Sequence, residues 1–221
     1  FCFFLLRRRP PRSTQSRSSA ASDVYKRQAC VTFSALNCLE SQIRGHIAYQ
    51  RLPQKTIKAL KDFGYFNDRL EFNLSDRFTA KMSGTTRQGN YFVNVWDSIR
   101  KHGVLPEADW PYPRDQRTPA FDWDDYYKEI PQELKDKALK FLDLFEVKYE
   151  WVIPTLHDIS YHLYQAPIQI AAPTCTGWNT ARPVEACTMK AYHATMVYGI
   201  CLLYTSPSPR DRTRYRMPSS A

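Results

Sequence analysis

From Cys30 the chain reads CVTFSALNCLESQIRGHIAY, with Phe33, Leu36, Leu39 or Glu40, Ile43 and Ile47 recurring at three- and four-residue intervals. That spacing is the stripe of an amphipathic helix and predicts one over 30–49, with Cys30 in its first turn. Similar spacing predicts helices over 55–63, 75–83 and 90–102. Pro131 opens another, whose Leu134, Ala138, Phe141, Leu142 and Phe145 form a core stripe. The pattern then shortens. Alternation over 146–153 predicts a strand, 155–165 a further helix, and the apolar runs at 166–172 and 191–199 two buried strands. The intervening 114–130 (RDQRTPAFDWDDYYKEI) reads as loop, its acidic and aromatic cluster a solvated surface. Helices dominate 29–113 and strands enter in 114–200, so the expected class is α+β.

Composition changes this picture only at the ends. The 221 residues carry 31 Lys+Arg against 22 Asp+Glu, a net charge of +9. Taken at face value, this excess points to a nucleic acid or an anionic membrane. Its position argues otherwise. Residues 1–28 hold Arg7, Arg8, Arg9, Arg12, Arg17, Lys26 and Arg27 against Asp23 alone. Residues 201–221 hold Arg210, Arg212, Arg214 and Arg216 against Asp211, and 29–200 are electroneutral. Asp23 to Gln28 back-translates as GAT GTG TAT AAG AGA CAG. The reverse complement of that stretch, read one base on, encodes Cys-Leu-Leu-Tyr-Thr-Ser, which is residues 201–206. Both tails therefore resemble translated sequencing adapter, and the native region is expected to run from Ala29 to Ile200. A nucleic-acid role rests wholly on the tails and falls with them. No apolar run approaches the ~18 residues of a membrane span.

Four cysteines remain: Cys30, Cys38, Cys175 and Cys187. None forms a C-x-x-C pair, and Cys175, Cys187 and His193 match no usual metal spacing, so no metal is expected. Cys175 and Cys187 read as a disulfide in an exported protein and as two buried thiols otherwise. Cys30 differs by its place. A thiol in the first turn of a helix faces unsatisfied N–H groups and the positive end of the helix dipole, the setting of a thiolate nucleophile. His193 lies on the last predicted strand, alternating with Ala191 and Thr195. A helix-initiating Cys followed far downstream by a strand-borne His is a nucleophile–base arrangement.

Four stretches, in order, resemble the papain-like cysteine peptidases. CVTFSALN is similar to the family's C-W-A-F-S-A helix start, and LSDRF at 74–78 to its L-S-E-Q-x-L helix. GNYFVNVWDSIRKHGVLPEADWPYP at 89–113 parallels G-G-x8-Y-I…G-I…E…Y-P-Y. LHDISYHLYQAPIQIAA followed by YHATMVYGI parallels the family's closing helix, G-P-V-x-V-x-I strand and H-A-x4-G-Y strand. The resemblance implies a two-lobed α+β fold, with a helical lobe at 29–113 and an antiparallel-sheet lobe at 114–200. It implies Cys30 as nucleophile, His193 as general base and acid, and Gly89 and Asn90 as the backbone that holds extended substrate. The expected partner is a protein or peptide substrate, with no cofactor, no nucleic acid and no membrane, and the chain a monomer.

The departures define a divergent branch. Val31 replaces the Trp after the nucleophile, Tyr192 precedes the His, and Asn90 replaces the second Gly of its pair. Residues 40–73 are longer than in the family, with 55–63 an extra helix. Cys187 stands six before His193, as one half-cystine does in the family, whose usual partner falls beyond Ile200. The family's oxyanion Gln falls on Val24 and its His-orienting Asn beyond Ile200, so the chain as it stands is expected to be weakly active or inactive. Two competing classes follow: a catalytically inactive papain-like binding or structural module, and another Cys–His acyltransferase.

Overall fold

The computed structural model describes residues 29–66, 71–111, 123–172 and 193–199. Within them lie seven helices and one two-stranded antiparallel sheet, an α+β arrangement. Helix α1 (Cys30–Ala48) is the axis of the molecule. Its Val31, Ala35, Leu36, Leu39 and Ile43 are buried, a three- and four-residue spacing that puts them on one face. Both residues at the ambiguous position of the stripe turn inward: Leu39 is buried, and the Glu40 side chain is only 12% exposed.

Helix α2 (Gln54–Asp62) follows Pro53, whose φ of −55° suits a helix entry, and fully buries only Leu60. Helix α3 (Asp76–Met82) is capped by Ser75, whose Oγ accepts from the Phe78 N–H at 3.1 Å and donates to the Trp110 carbonyl at 2.6 Å. Helix α4 (Phe92–His102) ends at Gly103, whose φ of +71° favours glycine. A Cβ at Gly103 would lie 2.0 Å from the Ala138 carbonyl oxygen, so α6 (Gln132–Leu144) packs onto this turn at backbone contact. Helix α5 (Trp123–Tyr126) is a single turn, and α7 (Leu156–Leu163) is capped by Thr155 Oγ1, which accepts from the Asp158 N–H.

Strands β1 (Ile168–Ala172) and β2 (His193–Val197) pair antiparallel, with Gln169 opposite Met196, Ala171 opposite Ala194 and Ala172 opposite His193. The pair packs on α1. The principal core joins α1 to Leu60, Tyr65, Phe72, Val95, Ile99, Phe141 and Ala194. Tyr65 stays in it because its hydroxyl donates to the Val104 carbonyl at 2.8 Å. A second cluster, Phe78, Leu105, Ile130 and Ala138, seats α6 against α3.

Two expectations are corrected. Residues 146–153 form no strand. Of their apolar residues only Val147 is buried, while Trp151 and Ile153 are exposed. Instead the segment lies as a strap on α4: Tyr149 donates to Asp97 Oδ1 at 3.0 Å, and its ring lies beside Trp96 and beneath the Arg100 guanidinium. Alternation alone does not make a strand where no ladder partner is within reach. Nor is the acidic aromatic cluster simply solvated. Tyr126 is buried, and the Asp125 and Tyr126 carbonyls accept from the buried Arg77 guanidinium, which also pairs with Asp125 at 3.1 Å and lies 4.8 Å from the Trp110 ring.

Candidate active site

Cys30 is the first residue of α1. Ala29 precedes it without a side-chain cap, and the first turn contains no acidic residue. The positive end of the helix dipole therefore acts at the thiol with no carboxylate in that turn to oppose it. The thiol is buried, 7% exposed. Its Sγ accepts a hydrogen bond from the Ala194 N–H at 3.4 Å, across 164 positions of sequence. The Ala194 amide directly follows His193, which is half-buried at the start of β2. The first residue of the helix that carries the thiol thus meets the second residue of the strand that His193 begins. Ala194 is the buried residue of β2, and Met196, on its face, receives a hydrogen bond from Ser41 Oγ at 3.7 Å. These two side chains seat the strand on α1.

Gly89 and Asn90 form a turn tied to the same end of α1. Gly89 has a φ of +106°, and its N–H and carbonyl are both paired with Thr86, at 3.0 and 3.2 Å. The Asn90 carboxamide donates to the Ser83 carbonyl, Ser83 Oγ and Thr85 Oγ1, and accepts from the Tyr91 N–H and from Asn94. Thr85 Oγ1 lies 3.4 Å from Thr32 Oγ1, two residues after the thiol. The Asn90 side chain therefore ties 83–90 together. The peptide of Asn90 lies outside the Thr86–Gly89 pairing. Cys175 and Cys187 lie outside the described residues, as does Tyr192.

Sequence reasoning missed Gln169. Its Nε2 donates to the Val31 carbonyl at 2.8 Å and to Ser34 Oγ at 2.6 Å, and its Oε1 accepts from Trp96 Nε1 at 2.7 Å. One signal was on view, a carboxamide in the middle of the apolar run IQIAA.

The second described thiol sets a contrast. Cys38, two turns along α1, is 1% exposed, and burial pushes its pKa up to about 12, so it is an inert core residue. A buried carboxyl group lies one residue pair further. Burial raises Glu40 to about 7, opposed by the Leu74 N–H bond and Arg44 and reinforced by Glu107. Burial likewise holds Asp76 well above the usual carboxylate range, with Glu40 and Glu107 adding repulsion. Among the described residues no group of three or more His, Cys, Asp or Glu is arranged to hold a metal ion, and no helix is long and apolar enough to cross a membrane. A concave basin of about 530 Å³ between α2 and α6 is lined by Phe63, Asp109, Lys137 and Lys140, among others, and none of its lining residues belongs to α1 or the sheet.

No family model matches the chain, and no curated protein or solved structure does so either.

Proposed function

We propose that the chain is a cysteine-type peptidase of papain-like organisation, with Cys30 as nucleophile and His193 as general base and acid. The observation that carries this reading is the Ala194 N–H to Cys30 Sγ contact, which brings the strand of His193 to the thiol at the start of α1. In the reaction the Cys30 sulfur attacks the substrate carbonyl carbon. The resulting oxyanion is met by N–H groups of the helix start, the Cys30 N–H among them. The His193 imidazolium protonates the leaving amine as the C–N bond breaks, leaving a thioester on Cys30. Water, giving its proton to His193, then attacks the thioester, releases the acid and restores the thiolate–imidazolium pair. The substrate class is a protein or peptide chain held extended beside Gly89 and Asn90.

The test is labelling of the full chain with iodoacetamide, located by mass spectrometry, alongside hydrolysis of a fluorogenic peptide. Cys30 is expected to react far faster than Cys38, with the rate following a two-step pH profile that His193→Ala simplifies. Hydrolysis, even if slow, is expected to vanish in Cys30→Ala and persist in Cys38→Ala. Hydrolysis surviving in Cys30→Ala would sink the proposal. The burial of Cys30 at 7% exposure favours a second reading, a non-catalytic module of the same organisation. That reading expects Cys30 to label no faster than an ordinary thiol.

A further inference from the structure

A carboxamide drawn out of water is costly unless its donors and acceptor are met. Gln169, part-buried on β1, has them met by two other elements of the fold. Trp96 Nε1, on α4, donates to Oε1 at 2.7 Å. Nε2 donates onward to the Val31 carbonyl at 2.8 Å and to Ser34 Oγ at 2.6 Å. Ser34 Oγ in turn donates to the Cys30 carbonyl at 2.7 Å, with the Val31 carbonyl at 3.1 Å. A chain of donors thus runs from α4 through β1 into the first turn of α1, ending on the carbonyls of Cys30 and Val31.

Those two carbonyls belong to the peptide units whose N–H groups are those of Val31 and Thr32. These are uncapped donors at the start of α1, beside the thiol. A second hydrogen bond to a carbonyl polarises its peptide unit and makes the N–H at the other end a stronger donor. The same contacts have a positional effect. Gln169 is the cross-strand partner of Met196, so what fixes Gln169 on α1 also fixes β2 through the ladder. The Ala194 to Cys30 contact, at 3.4 Å, depends on where the strand pair sits along α1. A small slip of the strand pair along α1 breaks it.

We infer that Gln169 is a positioning residue: it holds the first turn of α1 in register with the β1–β2 pair, so that Cys30 Sγ meets the Ala194 N–H and the strand of His193. The inference rests on the peptidase reading for its catalytic meaning, though not for its geometry.

Gln169→Met keeps the side-chain length and removes every donor and the oxygen acceptor. It is compared with the parent in the full chain by three readouts: thermal midpoint, the pH–rate profile of Cys30 alkylation by iodoacetamide, and hydrogen exchange at the Ala194 amide. The expected result is a Cys30 rate lowered about three- to tenfold, the worth of one net hydrogen bond, with a displaced pH profile and faster Ala194 exchange. Trp96→Phe removes only the donor to Oε1. It is expected to move both readouts the same way by less, and it serves as the test if Gln169→Met does not fold. The inference is overturned if the folded variant leaves the Cys30 profile and Ala194 exchange at parental values, or moves the thermal midpoint alone. Failure of the peptidase reading looks different: parental Cys30 would label like an unstructured thiol, while Gln169→Met still hastens Ala194 exchange, which supports the positioning claim.

Discussion

Glu40→Gln is expected to make the chain more stable than the parent as the pH rises. Glu40 sits in α1 with its side chain 12% exposed, its Oε1 accepting from the Leu74 N–H at 2.8 Å. Its one close counter-charge, Arg44 at 3.6 Å, has a side chain 46% exposed and so is screened by water. Burial therefore wins, and the carboxyl is held at about 7 rather than its usual 4.5. The folded state binds this proton more tightly than the unfolded state does. The stabilising effect is thus complete below pH 4.5 and lost as the pH rises to 7. At about 1.4 kcal/mol per pH step, the loss is about 3 kcal/mol. Asp76, also raised, adds in the same direction. His46 and His102, whose pKa values burial lowers, act oppositely through the same window, so the readout is the difference between variant and parent rather than the parent's slope. Glutamine retains an acceptor for the Leu74 N–H and has no proton to lose. Urea unfolding followed by tryptophan fluorescence at pH 4, 5, 6, 7 and 8 should give curves that converge at pH 4. They should separate by about 3 kcal/mol at pH 8, with the variant the more stable. Parallel stabilities across the range, or a variant weaker at pH 8, would refute the account of a buried carboxyl charged at a cost.

Gly103→Ala places a Cβ against the Ala138 carbonyl at a left-handed φ, and should lower urea stability by about 3 kcal/mol or more. Ser75→Ala removes the cap of α3 and the bond to the Trp110 carbonyl, and should cost about 1–2 kcal/mol in the same assay. Arg77→Met leaves the Tyr126 and Asp125 carbonyls without their guanidinium donor; a loss of about 3 kcal/mol and faster proteolysis within 123–130 are expected.

The helices were legible because their signals are local. Apolar residues three and four apart, with Pro131 opening one helix, act within a few turns of chain, as do the caps at Ser75 and Thr155 and the stop at Gly103 that the structure adds. β1 and β2 were legible as short apolar runs. Residues 146–153 carried the same alternation yet became a strap, because Tyr149 found Trp96 and Asp97 on α4 rather than a neighbouring strand. The candidate site divides the same way. Cys30 and the strand of His193 could be named from their places in the chain. Gln169 and the Thr32–Thr85–Asn90 connection could not, since the partners of Gln169 lie 73 to 138 positions away and Thr32 lies 53 from Thr85. Glu40 was visible as an inward candidate at its stripe position, but its displaced proton affinity depends first on burial and then on Glu107, and only folding supplies either.

The span of 164 residues between Cys30 and Ala194 also sets a clock. At 5–20 residues per second, a ribosome delivers the amide that meets the sulfur roughly 10–30 s after the thiol itself. Through that interval α1 can find α3 and α4 among residues already made, while the thiol waits without its donor. Contacts so far apart in sequence form late, and a two-stranded sheet has little stability of its own. Among the described elements the strand pair is therefore expected to dock last and detach first. Nascent chains stopped short of residue 194 carry the helices and a thiol without its Ala194 donor. Detachment of the strand pair alone would return a finished molecule to that same state without melting a helix.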